Sequence, residues 1–330
     1  MTQAREARLE ERLAVLDELA EERGIALEPD VPLAPLTTLR VGGSVDRLTT
    51  AETADELLAA LRLARDAGLP GGVLGKGSDI VVSDRGIRGL VVRNRADAIR
   101  VDGAEVHAES GAAMAALVKR CTAAGLGGLE FGISIPGSVG GAVWANAGAH
   151  GGEMKDVVVT VDAWSGERDA DGVVVIPAEE CGFAYRSSSF KDGPWTILGA
   201  RLRLTAGHPA EIAARVAANQ AHRRATQPLA DQNAGSVFRN PIGDHAGRLV
   251  DEAGLKGHRI GSAEVSTLHA NFIVVDRGGA AADVRRLGDH VRAVVAERLG
   301  VELQYEIEFV GDWDDDGPWA TATSHLEGVR

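Results

Sequence analysis

Cysteine is almost absent: the 330 residues include only Cys121 and Cys181, far apart and outside any CxxC spacing. A disulfide framework and a cysteine-based zinc site are excluded, and a reducing cytoplasm is the expected compartment. Aromatic residues make up 4%, with just two tyrosines. No apolar run approaches the roughly 20 residues that a membrane helix needs. Residues 1–24 alternate charge with Leu, Val and Ala, which excludes a secretion signal. Basic charge is in deficit, with 35 Lys and Arg against 48 Asp and Glu and a net charge of −13. Nucleic acid is thereby excluded as a general partner, whereas phosphate groups stay open to backbone N–H donors. No obligate protein partner can be inferred. No metal site is expected either: the histidines show no ligand-like grouping, and nothing matches HExxH or an EF-hand loop.

Glycine is what the chain has in excess, at 41 residues against an average share of about 7%. The length points to about two domains at roughly 150 residues each. Leu9, Leu13, Leu16 and Ala20 recur at helical spacing and Gly24 supplies a stop, so 1–24 reads as a helix. Pro29, Pro32 and Pro35 then force an extended linker. The expected division is a helical extension over 1–35, α+β units over 36–96 and 97–205, a third over 206–311, and an acidic tail over 312–330. In the first unit, Thr53 and Glu56 form a capping-box signature for a helix over 54–67, with strands near 72–74, 80–83 and 89–93. The second has strands near 106–109, 157–164, 173–177 and 195–204 and a helix near 113–124. The third opens with a helix over 210–224; later, Val284, Leu287, Val291, Val294 and Leu299 form one helical stripe. A last strand over 301–310 alternates strictly, with Leu303, Tyr305 and Ile307 on one face and Glu302, Gln304, Glu306 and Glu308 on the other.

The common nucleotide and hydrolase signatures fail. Gly77 follows Lys76 where a phosphate loop requires Ser or Thr, no GxGxxG opens a helix after the first strand, and Ala234 spoils a nucleophile elbow at Ser236. Two glycine-rich segments remain, LGKGSDI at 74–80 and GISIPGSVGGA at 132–142, the second continuing through Asn146 and Gly148. Glycines there let backbone N–H groups converge, and Ser78 and Ser138 add hydroxyls. Two such loops can hold the ends of a pyrophosphate-linked cofactor; on glycine content alone a pair of tight turns explains them equally well.

These segments, with GLEF at 128–131, YRSSSFK at 185–191, GSVFRNP at 235–241, GLKG at 254–257, HAN at 269–271 and Glu306, resemble in order the UDP-N-acetylenolpyruvoylglucosamine reductases, the MurB family, over about residues 36–311. The resemblance implies an α+β flavoprotein of the vanillyl-alcohol-oxidase-like superfamily, with two FAD-binding units and a C-terminal substrate domain. It also implies NADPH as hydride donor, reduction of UDP-N-acetylglucosamine-enolpyruvate to UDP-N-acetylmuramate, and a role in peptidoglycan precursor synthesis. The implied cofactor residues are Leu74, Gly75, Gly77, Ser78, Asp79, Ile80, Pro136, Gly137, Ser138, Gly140, Asn146 and Gly148. No Cys or His lies within those segments, so the FAD is expected to be non-covalent.

Hydride delivery to the enolpyruvyl group leaves negative charge on its carboxylate and an α-carbon to be protonated. The family pattern then implies Arg186 as the stabilising cation, Ser236 as the proton donor and Glu306 as the group that orients or replenishes it. Tyr185, Arg186, Asn240 and His269 match substrate-side positions. Arg186 otherwise reads as a surface ion pair, Ser236 as a turn serine and Glu306 as a solvated strand carboxylate. Three departures stand out: Asp79 where the motif usually has Asn, Thr226 where some members carry Lys, and no aromatic-rich insertion after Leu204, as in the short-loop subclass. The competing readings are a sugar-oxidising flavoenzyme of the same superfamily, a paralogue acting on a related nucleotide sugar, and a flavin-free nucleotide-binding regulator.

Overall fold

A computed structural model describes residues 3–166 and 172–313. The tail expected over 312–330 lies, beyond Trp313, outside the described residues. The chain divides into two compact units. The first comprises Met1–Glu28, Leu48–Lys76 and Gly89–Arg223; the second comprises Pro29–Arg47, Gly77–Arg88 and Arg224–Arg330. Among the described residues no helix is long and apolar enough to cross a membrane.

In the first unit, helix α1 (Gln3–Arg23) buries Leu16 and Ala20 in a cluster with Leu57, Leu61 and Ala64 of helix α2 (Ala54–Asp66). The side chain of Thr53 caps α2 by accepting the Glu56 N–H at 3.2 Å. The reciprocal bond goes one residue further back than a standard capping box, from the Glu52 N–H to the Glu56 carboxylate. The strand Gly71–Leu74 runs parallel to Ile87–Asn94, with Leu74 opposite Arg93. A five-stranded antiparallel sheet follows, in the order Val173–Pro177, Val158–Trp164, Thr196–Arg203, Glu105–Glu109, Ile99–Asp102. Its core shares Val106, Val161, Ala200 and Leu202 with Leu117 of helix α3 (Met114–Ala123). A short helix α4 (Val139–Trp144) rises inside the glycine-rich segment, where glycine content conceals it from a propensity reading. Helix α5 (Pro209–Thr226) begins here and runs on past Arg223.

In the second unit, four short antiparallel strands in the order Gln232–Asn233, Ile273–Val275, Ala263–Val265, Arg259–Ile260 share a core with helices α6 (Ala246–Glu252) and α7 (Ala281–Leu299). The buried stripe of α7 is Val284, Leu287, Val291 and Val295; Val294 and Leu299 sit at its margin. The last strand is shorter than expected. Only Glu308–Val310 forms a ladder, parallel to Ile80–Val82. Upstream, a single bridge joins Tyr305 to Phe238, because the opposing segment soon reaches Pro241, which has no N–H to extend the pairing. The alternation still governs burial: Leu303 and Ile307 are buried, Glu302 and Gln304 exposed. The proline-rich stretch likewise contains a strand, Glu28–Pro32, and a 3₁₀ turn, Ala34–Leu36.

Candidate functional site

Within the first unit, the start of one glycine-rich segment, at Gly75, meets the other at Ser138. A Cβ on Gly75 would fall 2.6 Å from the Ser138 Oγ, and one on Gly140 would fall 2.8 Å from the Ser110 Cβ. These glycines are required by close approach, and the approach leaves a cradle of backbone with little side-chain cover. Ser138 caps α4, its hydroxyl accepting the Gly141 N–H at 3.4 Å. The Gly137 carbonyl accepts the Met114 N–H and the Ser110 carbonyl accepts the Gly140 N–H, which anchors the loop from behind. Leu74 is buried at its strand end, and Pro136 is exposed at the loop's entry. Backbone donors, a serine hydroxyl and sterically essential glycines are the donor set that a pyrophosphate needs. The residues present therefore fit FAD.

Tyr185 and Arg186 form the tip of a two-residue turn closed by reciprocal Ala184–Ser187 backbone bonds. Arg186 adopts a left-handed φ of 54°, uncommon for a residue with a Cβ. Its Nη2 donates to the Gly148 carbonyl at 2.8 Å, its Nη1 lies 4.0 Å from the Glu153 carboxylate, and its guanidinium stacks 5.0 Å over the Tyr185 ring. Asn146 is fully buried. Its amide donates to the Ala184 carbonyl at 2.8 Å and to Glu153 at 3.1 Å, and its oxygen accepts the Lys155 N–H at 2.9 Å. Asn146 and Arg186 are thus tied through Glu153, Arg186 is tied to Gly148, and the Tyr185 ring stacks on the guanidinium. The turn is further held by Ser188, which donates to the Trp144 carbonyl, and by buried Phe190.

The second unit gathers the rest. The Gly77 carbonyl accepts the Thr38 N–H, and the Asp79 carbonyl accepts the Glu308 N–H at 2.9 Å, aligning Ile80 with Glu308. A Cβ on Gly235 would lie 4.0 Å from the Ser78 carbonyl oxygen, so the segment before Ser236 runs beside the flavin-type motif. Glu306 donates its N–H to the Val237 carbonyl at 2.8 Å, which sets Glu306 across from Ser236's neighbour. Ser236 is half-buried, and its hydroxyl has no hydrogen bond among the described residues. The turn before it is closed instead by the Asn233 side chain, which accepts the Gly235 N–H. Asn240 accepts the Ala246 N–H at 3.0 Å, at the start of α6. His269 accepts the Asn271 N–H on Nδ1 at 3.2 Å, and burial pushes its pKa below the ordinary imidazole value. It is therefore poised as the neutral tautomer with a donor at Nε2.

Two further contributors have no role assigned from the sequence, although Asn271 lies within the HAN segment. Asn271 is buried and clamps Phe238 at both ends, donating to its carbonyl at 2.8 Å and accepting its N–H at 3.0 Å. Glu153 joins Asn146, Lys155 and Arg186. The only available signal was HAN beside an unassigned strand, and a lone Glu after the glycine run.

A profile described as FAD binding domain matches residues 45–175, and one described as UDP-N-acetylenolpyruvoylglucosamine reductase, C-terminal domain, matches residues 227–310. The chain is 43% identical over 293 residues to UDP-N-acetylenolpyruvoylglucosamine reductase 2 of Symbiobacterium thermophilum, covering 87% of this chain and 92% of that protein. It is 39% identical over 302 residues to the Bacillus velezensis reductase, covering 90% and 98%. The crystal structure of the Thermus caldophilus reductase (MurB) superposes with a TM-score of 0.74 at 36% identity, covering 86% of this chain and 99% of that one. The fold is α+β, an FAD-binding domain followed by a reductase C-terminal domain. With such identity along nearly its whole length, the chain belongs to the UDP-N-acetylenolpyruvoylglucosamine reductase (MurB) family, the FAD-containing oxidoreductases of peptidoglycan precursor synthesis.

Proposed function

We propose that this chain reduces the enol ether of UDP-N-acetylglucosamine-enolpyruvate to UDP-N-acetylmuramate at the expense of NADPH, in the cytoplasm, with FAD held non-covalently. Bound FAD supplies the two-electron relay between the nicotinamide and the enolpyruvyl group. Arg186 binds the substrate carboxylate through two parallel donors and stabilises the charge that builds there. Its guanidinium is oriented for this by the Gly148 carbonyl and the Tyr185 ring. Ser236 delivers a proton to the α-carbon, and Glu306 orients or replenishes it. Asn240 and the Nε2–H of His269 are donors to polar groups of the UDP-sugar. Residues 36–205 hold the flavin and 206–311 the substrate, in the manner of the short-loop subclass.

The observation that carries the reading is the half-buried Ser236 hydroxyl. It has no hydrogen bond among the described residues, while Asn233 does the work of the turn. A serine kept for the turn would be bonded to it. The test is anaerobic: NADPH should bleach the flavin band, and the enolpyruvyl substrate should restore it. Flavin reduced by a free sugar and reoxidised only by oxygen would replace this reading with an oxidase. A purified chain without flavin would favour the regulator.

A further inference from the structure

Arginines along and just after the strand Ile87–Asn94 have counter-ions, with one exception. Arg88 pairs with Asp46 at 2.7 Å, and Arg95 lies 3.6 Å from Glu52. Arg93 is part-buried, yet among the described residues its guanidinium has no hydrogen bond, ion pair or ring contact. The Arg93 nitrogens still reach water, so a part-buried guanidinium with no protein partner is available to the charge of a ligand.

The position of Arg93 indicates which ligand. It faces Leu74 in the parallel pair, so both strands deliver their carboxyl ends to one edge, where ligands of parallel sheets bind. Val73 and Val92 pack toward the α2 cluster, so the alternation turns Arg93 and Leu74 to the opposite face. From this edge the chain enters Gly75 on one side. On the other, Asn94 donates to the Ser110 Oγ at 2.8 Å, and the Ser110 carbonyl takes the Gly140 N–H at 2.8 Å. Arg93 is therefore bracketed by the two arms of the glycine cradle, where Gly75 meets Ser138. Those arms supply dipoles but little charge: residues 132–142 contain no ionisable side chain, and residues 74–80 carry Lys76, which is exposed, and Asp79. A pyrophosphate brings negative charge that this cradle does not itself neutralise.

We propose that Arg93 is the cationic ligand of the FAD pyrophosphate. The proposal rests on the flavin reading above. It is tested by FAD release from the holoprotein, followed by flavin fluorescence, for the parent, Arg93→Gln and Arg93→Lys. The Kd for FAD should rise about 10- to 100-fold in Arg93→Gln, the scale of one lost charged hydrogen-bond pair, and less in Arg93→Lys. Riboflavin, which has no phosphate, should bind parent and variant alike. The flavin-free Arg93→Gln protein should melt no lower than the flavin-free parent, because an unpaired cation has been removed. An unchanged Kd for FAD overturns the proposal, as does a variant whose flavin-free form melts several degrees lower and loses riboflavin equally. A change confined to the KM for NADPH also overturns it, by assigning the charge to the other dinucleotide. A parent that binds no FAD overturns the flavin reading instead.

Discussion

Arg186 combines two tasks that separate by mutation: it closes a turn in a left-handed conformation and presents a guanidinium. Arg186→Lys keeps the charge and loses the planar fork, so reoxidation of reduced flavin by the enolpyruvyl substrate should slow by about 10- to 1000-fold. NADPH-driven reduction should change far less, and stopped-flow measurement of both half-reactions checks the split. Equal damage to both would point to a folding or flavin defect. For Ser236→Ala the expectation is a fall in turnover of about 10²- to 10⁴-fold with a small change in KM. Stability should barely move, because no hydrogen bond of the described residues is lost; Ser236→Cys should retain more activity than Ala. Turnover within a few-fold of the parent would reduce Ser236 to a turn residue. His269 and His150 give the molecule a titration on its acid side. Burial lowers both pKa values, with His222 adding repulsion at His150. The unfolded imidazoles take up protons near pH 6.5, the folded ones only lower, so stability should decline as pH falls through that window. Denaturant titrations between about pH 7.5 and 5.5 should show the decline, and His269→Asn should flatten it.

At the scale of elements, the fit between the glycine loops and α4 depends on missing side chains. Gly140→Ala would drive a methyl to 2.8 Å from the Ser110 Cβ, whereas a Cβ on Gly141, inside the same helix, meets only the Ser138 Oγ at 3.7 Å. Flavin content after purification should collapse in Gly140→Ala and persist in Gly141→Ala, which gains helix propensity. Equal retention would show that the loop tolerates displacement. Helix α7 offers a second test. Asp283, in its first turn, accepts the Ser262 N–H at 2.7 Å and the Ser262 hydroxyl at 2.8 Å, and it pairs with Arg286. The Ser262 backbone bond, ahead of the hydroxyl and Arg286, holds its pKa below the usual carboxylate value. That stabilisation is complete above the unfolded value near pH 4 and is lost as pH falls through the folded one. Asp283→Asn should cost about 1–3 kcal/mol at neutral pH and blunt acid unfolding. A loss confined to acid pH would count against it.

For the molecule as a whole, the flavin is expected to act as a structural ligand as well as a redox group. At a thousandfold excess over its Kd it should stabilise the fold by about 4 kcal/mol, so stripping it should lower the melting temperature and re-adding it should restore it. Acid precipitation should leave the yellow colour in the supernatant, since neither glycine-rich segment contains a Cys or His and His150, just after the second, is engaged in a hydrogen bond with Ser134 at 2.9 Å. Colour in the pellet would overturn non-covalent binding.

Periodicity carried what depends on neighbours along the chain. The α1, α2 and α7 stripes, the Thr53 cap and the alternation of burial over 301–310 are all set within a few residues. So was the need for glycine in two segments, since close backbone approach is a property of the residue itself. Tertiary structure decided the rest. It seated Gly75 against Ser138, placed Asn271 along Phe238, turned Arg186 into a left-handed corner and left Arg93 without a partner among the described residues. Each of these joins positions distant in the chain or sets a conformation by packing, and no local preference encodes them.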